Sequence, residues 1–175
     1  VLAAAAGTVL RIRDAMPDRS VLSPGASVPP GRMAGNSVIV DHGAFTTQYS
    51  HLKRGSVSVA PGQRVETGQR LGTVGMSGNT EYLHLHFSVR AGGKKVDPFT
   101  GADGKIDCAS RPAGTLWSAK ARGLLVYQPS GVADAGFSPG RPTVLAARDG
   151  SLAPLGTNPS ALVLWADSFG IRTGD

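Results

Sequence analysis

Glycine and proline interrupt this sequence so often that little room is left for a long helix. The 175 residues include 24 Gly and 12 Pro, and only short apolar runs lie between these turn signals. Both residues are poorly tolerated inside helices, whereas they favour the tight turns that join neighbouring strands. The sequence therefore predicts an all-β fold, built as a small antiparallel barrel or sandwich.

The first half of the chain divides into short candidate strands. Residues 7–13 alternate between polar and apolar side chains and predict the first strand. Residues 17–35 are rich in Pro, Gly and Ser and predict a long loop, which belongs either to a binding cleft or to a disordered insertion. Further strands are predicted at residues 37–41, 45–50, 56–60, 64–67, 70–74 and 95–98, with hairpin turns at His42-Gly43 and Gly92-Gly93.

Residues 81–90 carry two histidines in an alternating pattern. With a period of two, one face carries Leu83, Leu85, Phe87 and Val89, and the other carries His84, His86, Ser88 and Arg90. This pattern predicts a half-buried strand with two imidazoles side by side. Imidazole is both a common metal ligand and the side chain that titrates nearest neutral pH. The spacing alone is also compatible with an ordinary polar strand face.

The overall charge is compatible with an anionic partner but does not require one. The formal net charge is +6 and the isoelectric point is about 10.0. However, Lys and Arg are scattered, with adjacent pairs only at Lys53-Arg54 and Lys94-Lys95, so no dense nucleic-acid-binding patch is predicted. A generally basic surface and an anionic polymer such as a cell-wall component both remain open.

The cysteine content and the apolar runs exclude few compartments. Cys108 is the single cysteine, so it has no partner for a disulfide within this sequence. No apolar run approaches the roughly 18 residues needed to span a bilayer. Residues 1–6 are apolar but lack the basic residues and the length of a signal peptide. Because the chain starts without Met in the middle of a pattern, we expect it to be part of a longer protein.

The sequence changes in character after residue 110. Residues 111–114 predict a linker, so we assign residues 1–110 and 111–175 to separate modules. Strands in the second module are predicted at residues 123–128, 143–147 and 161–165. This second module is expected to be β-rich and incomplete. It contains no histidine and no clustered carboxylates, and we find no catalytic pattern in it.

Several motifs of the first module together resemble a known family. In order, they are residues 35–43, 49–52, 59–65, 68–72, 75–80, 83–87 and 96–98, which include Tyr49-Ser50-His51-Leu52 and Leu83-His84-Leu85-His86-Phe87. This set resembles the M23 (LytM, lysostaphin-type) zinc metallopeptidases, which cut peptide cross-links in bacterial peptidoglycan. The resemblance covers about residues 1–99. It implies an M23-like β fold and a location outside the cytoplasm.

The resemblance also implies roles for individual residues. His86 matches a zinc ligand of the family, and His51 and His84 match the two histidines that flank the zinc-bound water. A zinc ion with three protein ligands lowers the pKa of its water to about 7. A neighbouring imidazole can then transfer a proton, and a second can donate to the oxyanion. His42 matches a turn position, and we expect a structural role for it.

One departure from the family pattern concerns the metal. The family takes its other two zinc ligands from a His-x-x-x-Asp motif that precedes a segment like residues 1–9, and this sequence has no counterpart of that motif. Asp41 and Asp97 are carboxylates, but the first lies beside a turn and the second precedes Pro98 at a strand end, so the sequence alone assigns neither as a ligand. Tyr82 and Ser88 also depart from the pattern, which usually has a small residue or Pro and then a Glu at these places.

Two explanations of the missing ligands are compatible with the sequence. In the first, which we favour, the chain is a fragment of an active zinc endopeptidase and the upstream ligands lie outside it. In the second, the chain is a catalytically degenerate LytM-like domain that binds the cell wall or activates another hydrolase. The retention of His51, His84 and His86 together favours the first.

Overall fold

The structure is a computed structural model that describes residues 1–101, 114–125 and 130–169. The chain divides into two units, Val1–Ser118 and Ala119–Asp175. The predicted module boundary between residues 110 and 111 lies outside the described residues, as does Cys108, and the boundary stays a prediction.

The first unit is built on one antiparallel sheet of six strands. The strands are β1 (Gly7–Arg13), β2 (Asn36–Asp41), β3 (Thr46–Leu52), β4 (Arg64–Val65), β5 (His86–Ala91) and β6 (Lys94–Val96). Their order across the sheet is β4-β1-β2-β3-β5-β6. The predicted mostly antiparallel β fold is confirmed, and the predicted bounds of β1 match the structure. The predicted loop at residues 17–35 contains no strand or helix beyond a single bridge at Asp18.

The hydrophobic core lies on one face of this sheet. Val38 of β2 pairs with Tyr49 of β3, which pairs with Phe87 of β5, so that the three side chains point to the same face. Residues of the connecting segments cover this face, among them Val59 and Leu71, which are both buried. The core cluster consists of Ala3, Val9, Val38, Val40, Tyr49, Leu52, Val59, Val65 and Leu71. The alternate side chains of the strands therefore form an opposite, polar face.

The predicted strand at residues 81–90 is only partly correct. Strand β5 begins at His86, and residues 81–83 form a bend instead. Leu83 and Leu85 were expected in the core, but they are 55% and 39% exposed. The ladder between β3 and β5 ends at the pair Ser50 and His86, and the next residue of β3, His51, has a φ of 61°. This left-handed residue turns β3 away, so residues 81–85 have no strand to pair with.

Three other predicted strands are shorter than expected or absent. Residues 56–60 form no strand, although Val59 is buried and the Ser58 amide donates to the Leu71 carbonyl at 3.0 Å. The strand predicted at 64–67 is limited to Arg64–Val65. Within 70–74, Arg70 and Val74 each make a single isolated bridge. The glycine-marked turns keep these segments too short for a continuous ladder.

The second unit contains two short helices and a two-stranded sheet among its described residues. Helix α1 spans Ala119–Leu124 and helix α2 spans Val144–Asp149, while β7 (Gly131–Ser138) pairs antiparallel with β8 (Val163–Phe169). The strand predicted at 161–165 overlaps β8, and β7 was not predicted. The strand predicted at 123–128 is wrong at residues 123–124, which end α1, and residues 126–128 lie outside the described residues.

The strand predicted at residues 143–147 is also wrong, because this segment begins helix α2. Thr143 and Val144 are β-branched, which suggested a strand. Instead, the Thr143 hydroxyl accepts a hydrogen bond from the Ala146 amide at 3.1 Å and caps the helix. Gly150 ends the helix in a left-handed conformation with a φ of 76°. Cap residues at both ends therefore determine the structure of this segment more than the intrinsic preference of two residues.

Membrane-spanning helices are absent from the part of the chain that the structure describes, because none of its helices is long and apolar enough to cross a bilayer.

We predict that Gly35→Ala destabilises the first unit much more than Gly43→Ala does. Both glycines have positive φ angles, 62° and 89°, so each substitution costs about 1 kcal/mol in backbone energy. A Cβ at Gly35 would also overlap the Ser77 carbonyl, whereas a Cβ at Gly43 meets no atom within 4 Å. Overpacking of this kind adds about 1–3 kcal/mol. Urea unfolding of both variants measures the difference, and equal losses would contradict the close contact between Gly35 and Ser77.

Candidate functional site

Three histidines lie together where β3 ends and β5 begins. The ring centroids of His51 and His84 are 4.8 Å apart, and those of His51 and His86 are 5.8 Å apart. His51 belongs to β3 and His86 to β5, while His84 lies in the segment that precedes β5. The structure thus brings together the three residues that the sequence singled out, although His84 and His86 are not both strand residues as predicted.

The backbone of His51 is held on both sides by neighbouring loops. Its amide donates to the Ala34 carbonyl at 3.0 Å, and its carbonyl accepts from the Gly75 amide at 2.8 Å. Its φ of 61° is unusual for a residue other than Gly. These two hydrogen bonds offset the cost of the left-handed conformation and fix the direction of the side chain.

The imidazole of His51 is held by a buried serine. His51 is 5% exposed, and its Nδ1 lies 2.8 Å from the carbonyl oxygen of Ser77. The Ser77 hydroxyl is fully buried, donates to the Leu52 carbonyl at 2.7 Å and accepts from the Asn36 amide at 2.8 Å. Ser77 therefore connects β2 and β3 to the histidine. In the sequence this residue belongs to the motif at residues 75–80 without a role of its own, and a small polar residue between Gly75 and Gly78 was the available signal.

These contacts determine the protonation of His51. A carbonyl oxygen can only accept, so Nδ1 carries the proton and Nε2 is the acceptor in the neutral ring. Burial lowers the pKa of His51 below its usual 6.5, and the nearby His84 and His86 lower it further, against the opposing hydrogen bond to Ser77. His51 is consequently a neutral base at neutral pH.

His84 is oriented by local contacts rather than by a strand. Its Nδ1 lies 3.0 Å from the Tyr82 carbonyl and 3.1 Å from the Thr80 hydroxyl, which itself donates to the Tyr82 carbonyl at 2.7 Å. The Tyr82 ring lies 4.8 Å from the His84 ring, between centroids. Side-chain bonds of this kind compete with strand pairing, which is a second reason why β5 begins only at His86. The Tyr82 carbonyl places the proton of neutral His84 on Nδ1 as well.

His86 is exposed and faces a cleft on the polar side of the sheet. The cleft has a volume of about 370 Å³. Its lining residues are Met33, Ala34, Gln48, Ser50, His51, Asn79, His86, Ser88, Arg90 and Lys95. The long loop before β2 thus contributes Met33 and Ala34 to one wall, which agrees with the first of the two predictions for it, a position at a binding cleft.

The remaining candidate residues lie in local structural contacts. His42 bonds through Nδ1 to the Ala6 carbonyl at 2.7 Å and through Nε2 to the Thr47 hydroxyl at 2.8 Å. Asp41 accepts from the Gly43 amide at 2.9 Å, and Asp97 accepts from the Phe99 amide at 2.8 Å. These bonds fit structural roles in turns.

The described residues do not complete a metal site. Zinc in proteins is held by three or four ligands. Within residues 1–101, 114–125 and 130–169, no group of three or more His, Cys, Asp or Glu residues is placed to hold a metal ion. His86 is accessible in the cleft, but the donors present do not fit a full zinc site.

Comparison with known proteins gives a consistent result for the first unit. The chain matches the family model described as Peptidase family M23 over residues 1–98. It is 38% identical over 65 residues to peptidoglycan DD-endopeptidase ShyA of Vibrio cholerae, which covers 37% of this chain and 15% of that protein. It is 40% identical over 65 residues to outer membrane antigenic lipoprotein B of Haemophilus influenzae, with the same coverage of 37% and 15%.

A solved structure gives a further match. A zinc-containing peptidase from Vibrio cholerae aligns with a TM-score of 0.41 and 28% identity, covering 53% of this chain and 24% of that one. Among the curated relatives, the matched region spans 15% of the length of ShyA and 15% of the length of outer membrane antigenic lipoprotein B.

We predict that His51 titrates below its usual pKa of 6.5 in the metal-free protein. Because the pKa is lower in the folded state, the stability that this group contributes is fully present above about pH 6.5 and is lost as the pH falls through the folded pKa. A histidine NMR titration measures the midpoint. Urea unfolding at about pH 7.5 and about pH 5 compares the protein with His51→Asn, since Asn tolerates a positive φ. A smaller acid loss in the variant is expected, and a midpoint at or above 6.5 would contradict the assignment.

Proposed function

Because this chain belongs to peptidase family M23, we propose that it takes part in the hydrolysis of peptide cross-links in bacterial peptidoglycan. In this proposal the reaction is zinc-dependent, His86 is one metal ligand, and His51 and His84 are the acid–base and oxyanion partners. The family and its relation to peptidoglycan endopeptidases are the premise. Catalysis by this chain, and the role of each histidine, are what we propose.

The observation that carries the proposal is the shared orientation of two neighbouring imidazoles, of which His51 lines the cleft. His51 and His84 both have Nδ1 directed at a backbone carbonyl, at 2.8 Å and 3.0 Å. In each neutral ring Nε2 is then free of the backbone bond and available as a proton acceptor. The lowered pKa of His51 keeps this ring neutral at neutral pH, as is required of a base that accepts a proton from an attacking water.

The metal is the incomplete part of the proposed site. His86 would be the ligand from this chain, exposed in the cleft close to His51. The described residues offer no complete ligand set. The proposal therefore requires two further ligands, which the family pattern takes from a His-x-x-x-Asp motif.

The names of relatives support the proposed substrate and location. ShyA is named a peptidoglycan DD-endopeptidase, and the Haemophilus influenzae relative is named an outer membrane lipoprotein. We extend these properties to this chain as a proposal: the substrate is the peptide part of peptidoglycan, and the protein acts outside the cytoplasm. The basic charge of +6 is compatible with the anionic cell wall.

A second function is favoured by one specific observation. The described residues contain no group of three metal ligands, as expected of a catalytically degenerate domain. Such a domain would bind the cell wall or activate another hydrolase. In that case the cleft would hold a peptide without cutting it. Zinc content and hydrolysis distinguish the two functions.

We predict that His84→Ala reduces peptidoglycan hydrolysis by the natural full-length protein at least about 100-fold, since general acid–base groups contribute about 10²–10⁴. Release of soluble fragments from purified peptidoglycan measures the rate. The fold should persist in circular dichroism, because His84 bonds only to its own local segment. His42→Gln is the matched control, since it removes an imidazole outside the cleft, and its rate per folded molecule should be unchanged. Full activity of His84→Ala would remove this residue from the mechanism.

We predict that the natural full-length protein contains one zinc ion per chain and that His86→Ala abolishes it. Elemental analysis of the two proteins, and of residues 1–175 alone, measures the metal. Zinc in the full-length protein but not in residues 1–175 would mean that ligands lie outside this segment. Zinc in neither would favour the binding or activating function. Unchanged zinc in His86→Ala would show that the ligand assignment is wrong.

A further inference from the structure

The polar face of the six-stranded sheet carries a strong excess of positive charge. Strands β1 to β6 contain one carboxylate, Asp41. Five of their basic residues lie on this face, namely Arg11, Arg13, Arg64, Arg90 and Lys95, whereas Lys94 pairs with Ala91 and points to the opposite face. Asp41 is Cα-paired with Thr46, which is paired with Arg90, so Asp41 lies two strand spacings, roughly 10 Å, from Arg90. Its carboxylate already accepts a bond from Gly43, and it does not neutralise Arg90.

Two of these cations lie in the same cleft as the histidines. Val89 is buried and pairs with Val96, so the next pair, Arg90 and Lys95, points to the opposite, polar face. Both residues line the 370 Å³ cleft together with His86. Within the part of the chain that the structure describes, the Arg90 guanidinium makes one long hydrogen bond, 3.5 Å, to the Gly93 carbonyl. Neither Arg90 nor Lys95 has an ion-pair partner among the described residues.

The cleft continues past Arg90 instead of ending there. A second cavity of about 400 Å³ extends from Arg90 across the sheet to β1. Its lining residues are Leu10, Arg11, Ile39, Thr46, Gln48, Ser88 and Arg90. Ser88 and Gln48 belong to both cavities, so one polar groove runs from the histidines to the cations. Hydroxyl and amide side chains along its floor can bond to the backbone of an extended chain.

We propose that Arg90 and Lys95 form a binding site for a free carboxylate of the peptide that occupies this groove. The fork of an Arg guanidinium matches a carboxylate, and the Lys ammonium adds a second donor and charge. This proposal rests on the function proposed above, because the histidines define where the scissile bond lies. It adds the requirement that the substrate carries a negative charge at a defined distance from the scissile bond.

The strand geometry sets that distance. His86, Ser88 and Arg90 alternate on the same face of β5, and Arg90 is four residues from His86. At about 3.3 Å per residue the two side chains are roughly 13 Å apart. An extended peptide with its scissile bond at the histidines would therefore place a carboxylate about four residues away. Arg90 and Lys95 are adjacent and can meet one carboxylate together, whereas a phosphate-bearing polymer would also engage Arg11 farther along the groove.

The test is peptide binding to residues 1–175 in the presence of a chelator, so that hydrolysis does not interfere. Two synthetic pentapeptides of identical sequence are compared, one with a free terminal carboxylate and one with a terminal carboxamide. Isothermal titration calorimetry measures the dissociation constants. We expect the acid to bind at least about threefold more tightly, as for a partly exposed ion pair, and the preference to decrease at high salt.

Matched substitutions assign the preference to particular residues. Arg90→Gln and Lys95→Gln should each reduce the preference for the acid, and the double variant should abolish it. Arg64→Gln removes the same charge at the other edge of the sheet, four strand spacings or roughly 19 Å from β5, and should leave the preference intact. Circular dichroism confirms that each variant is folded.

Several results would overturn the proposal. Equal affinity for acid and amide, no binding of either peptide, or an equal loss in Arg64→Gln would each contradict a specific site. Competition by polyphosphate that does not depend on Arg90 would show a general polyanion surface instead. The binding test and the activity test can fail separately. A carboxylate preference without hydrolysis by the full-length protein would support the binding site and contradict the proposed enzymatic function. Hydrolysis without a carboxylate preference would support the enzymatic function and contradict the binding site.

Discussion

The buried hydroxyl of Ser77 is the interaction on which the site depends. The hydroxyl accepts from the Asn36 amide at the start of β2 and donates to the Leu52 carbonyl at the end of β3. The backbone carbonyl of the same residue holds the His51 imidazole. A buried polar group without a partner costs about 1–3 kcal/mol, so these bonds constrain one another. Backbone hydrogen bonds to Ala34 and Gly75 hold His51 in its left-handed conformation, and the same turn ends the ladder to β5. The turn at His51 therefore both directs its imidazole and contributes to the late start of β5.

The two faces of the sheet divide stability from function. One face contributes Val38, Tyr49 and Phe87 to the core, and the alternate residues form a polar floor beneath the cleft. A substitution on the polar face changes what the cleft can bind without opening a cavity in the core. This separation is why histidines and cations can be accommodated on strands at little cost in folding.

The sequence predicted the strands better than the contacts between them. The alternation of residues 7–13 was sufficient for β1, and the glycine-marked turns were sufficient for the β2–β3 hairpin. The pattern at residues 81–90 failed for Leu83 and Leu85 because pairing requires a partner strand, and β3 turns away at His51. Residues 143–147 were predicted as a strand. The hydrogen bond from the Ala146 amide to the Thr143 hydroxyl, which caps a helix instead, is a matter of geometry that the sequence pattern does not contain. The order of the motifs indicated that the three histidines belong together. The buried hydrogen bond from the Asn36 amide to the Ser77 hydroxyl joins residues 41 positions apart, so no local pattern predicted it.

Both edges of the sheet are short and basic, and this has a consequence for association. The edge strand β4 has two residues and includes Arg64, and the edge strand β6 has three residues and includes Lys94 and Lys95. An exposed edge offers unpaired backbone groups that can recruit a strand from another molecule, and short, lysine-bearing edges oppose this. Charge repulsion between two such edges makes sheet-to-sheet aggregation unfavourable. Lys95 thus protects the fold against self-association at the same edge where it borders the cleft.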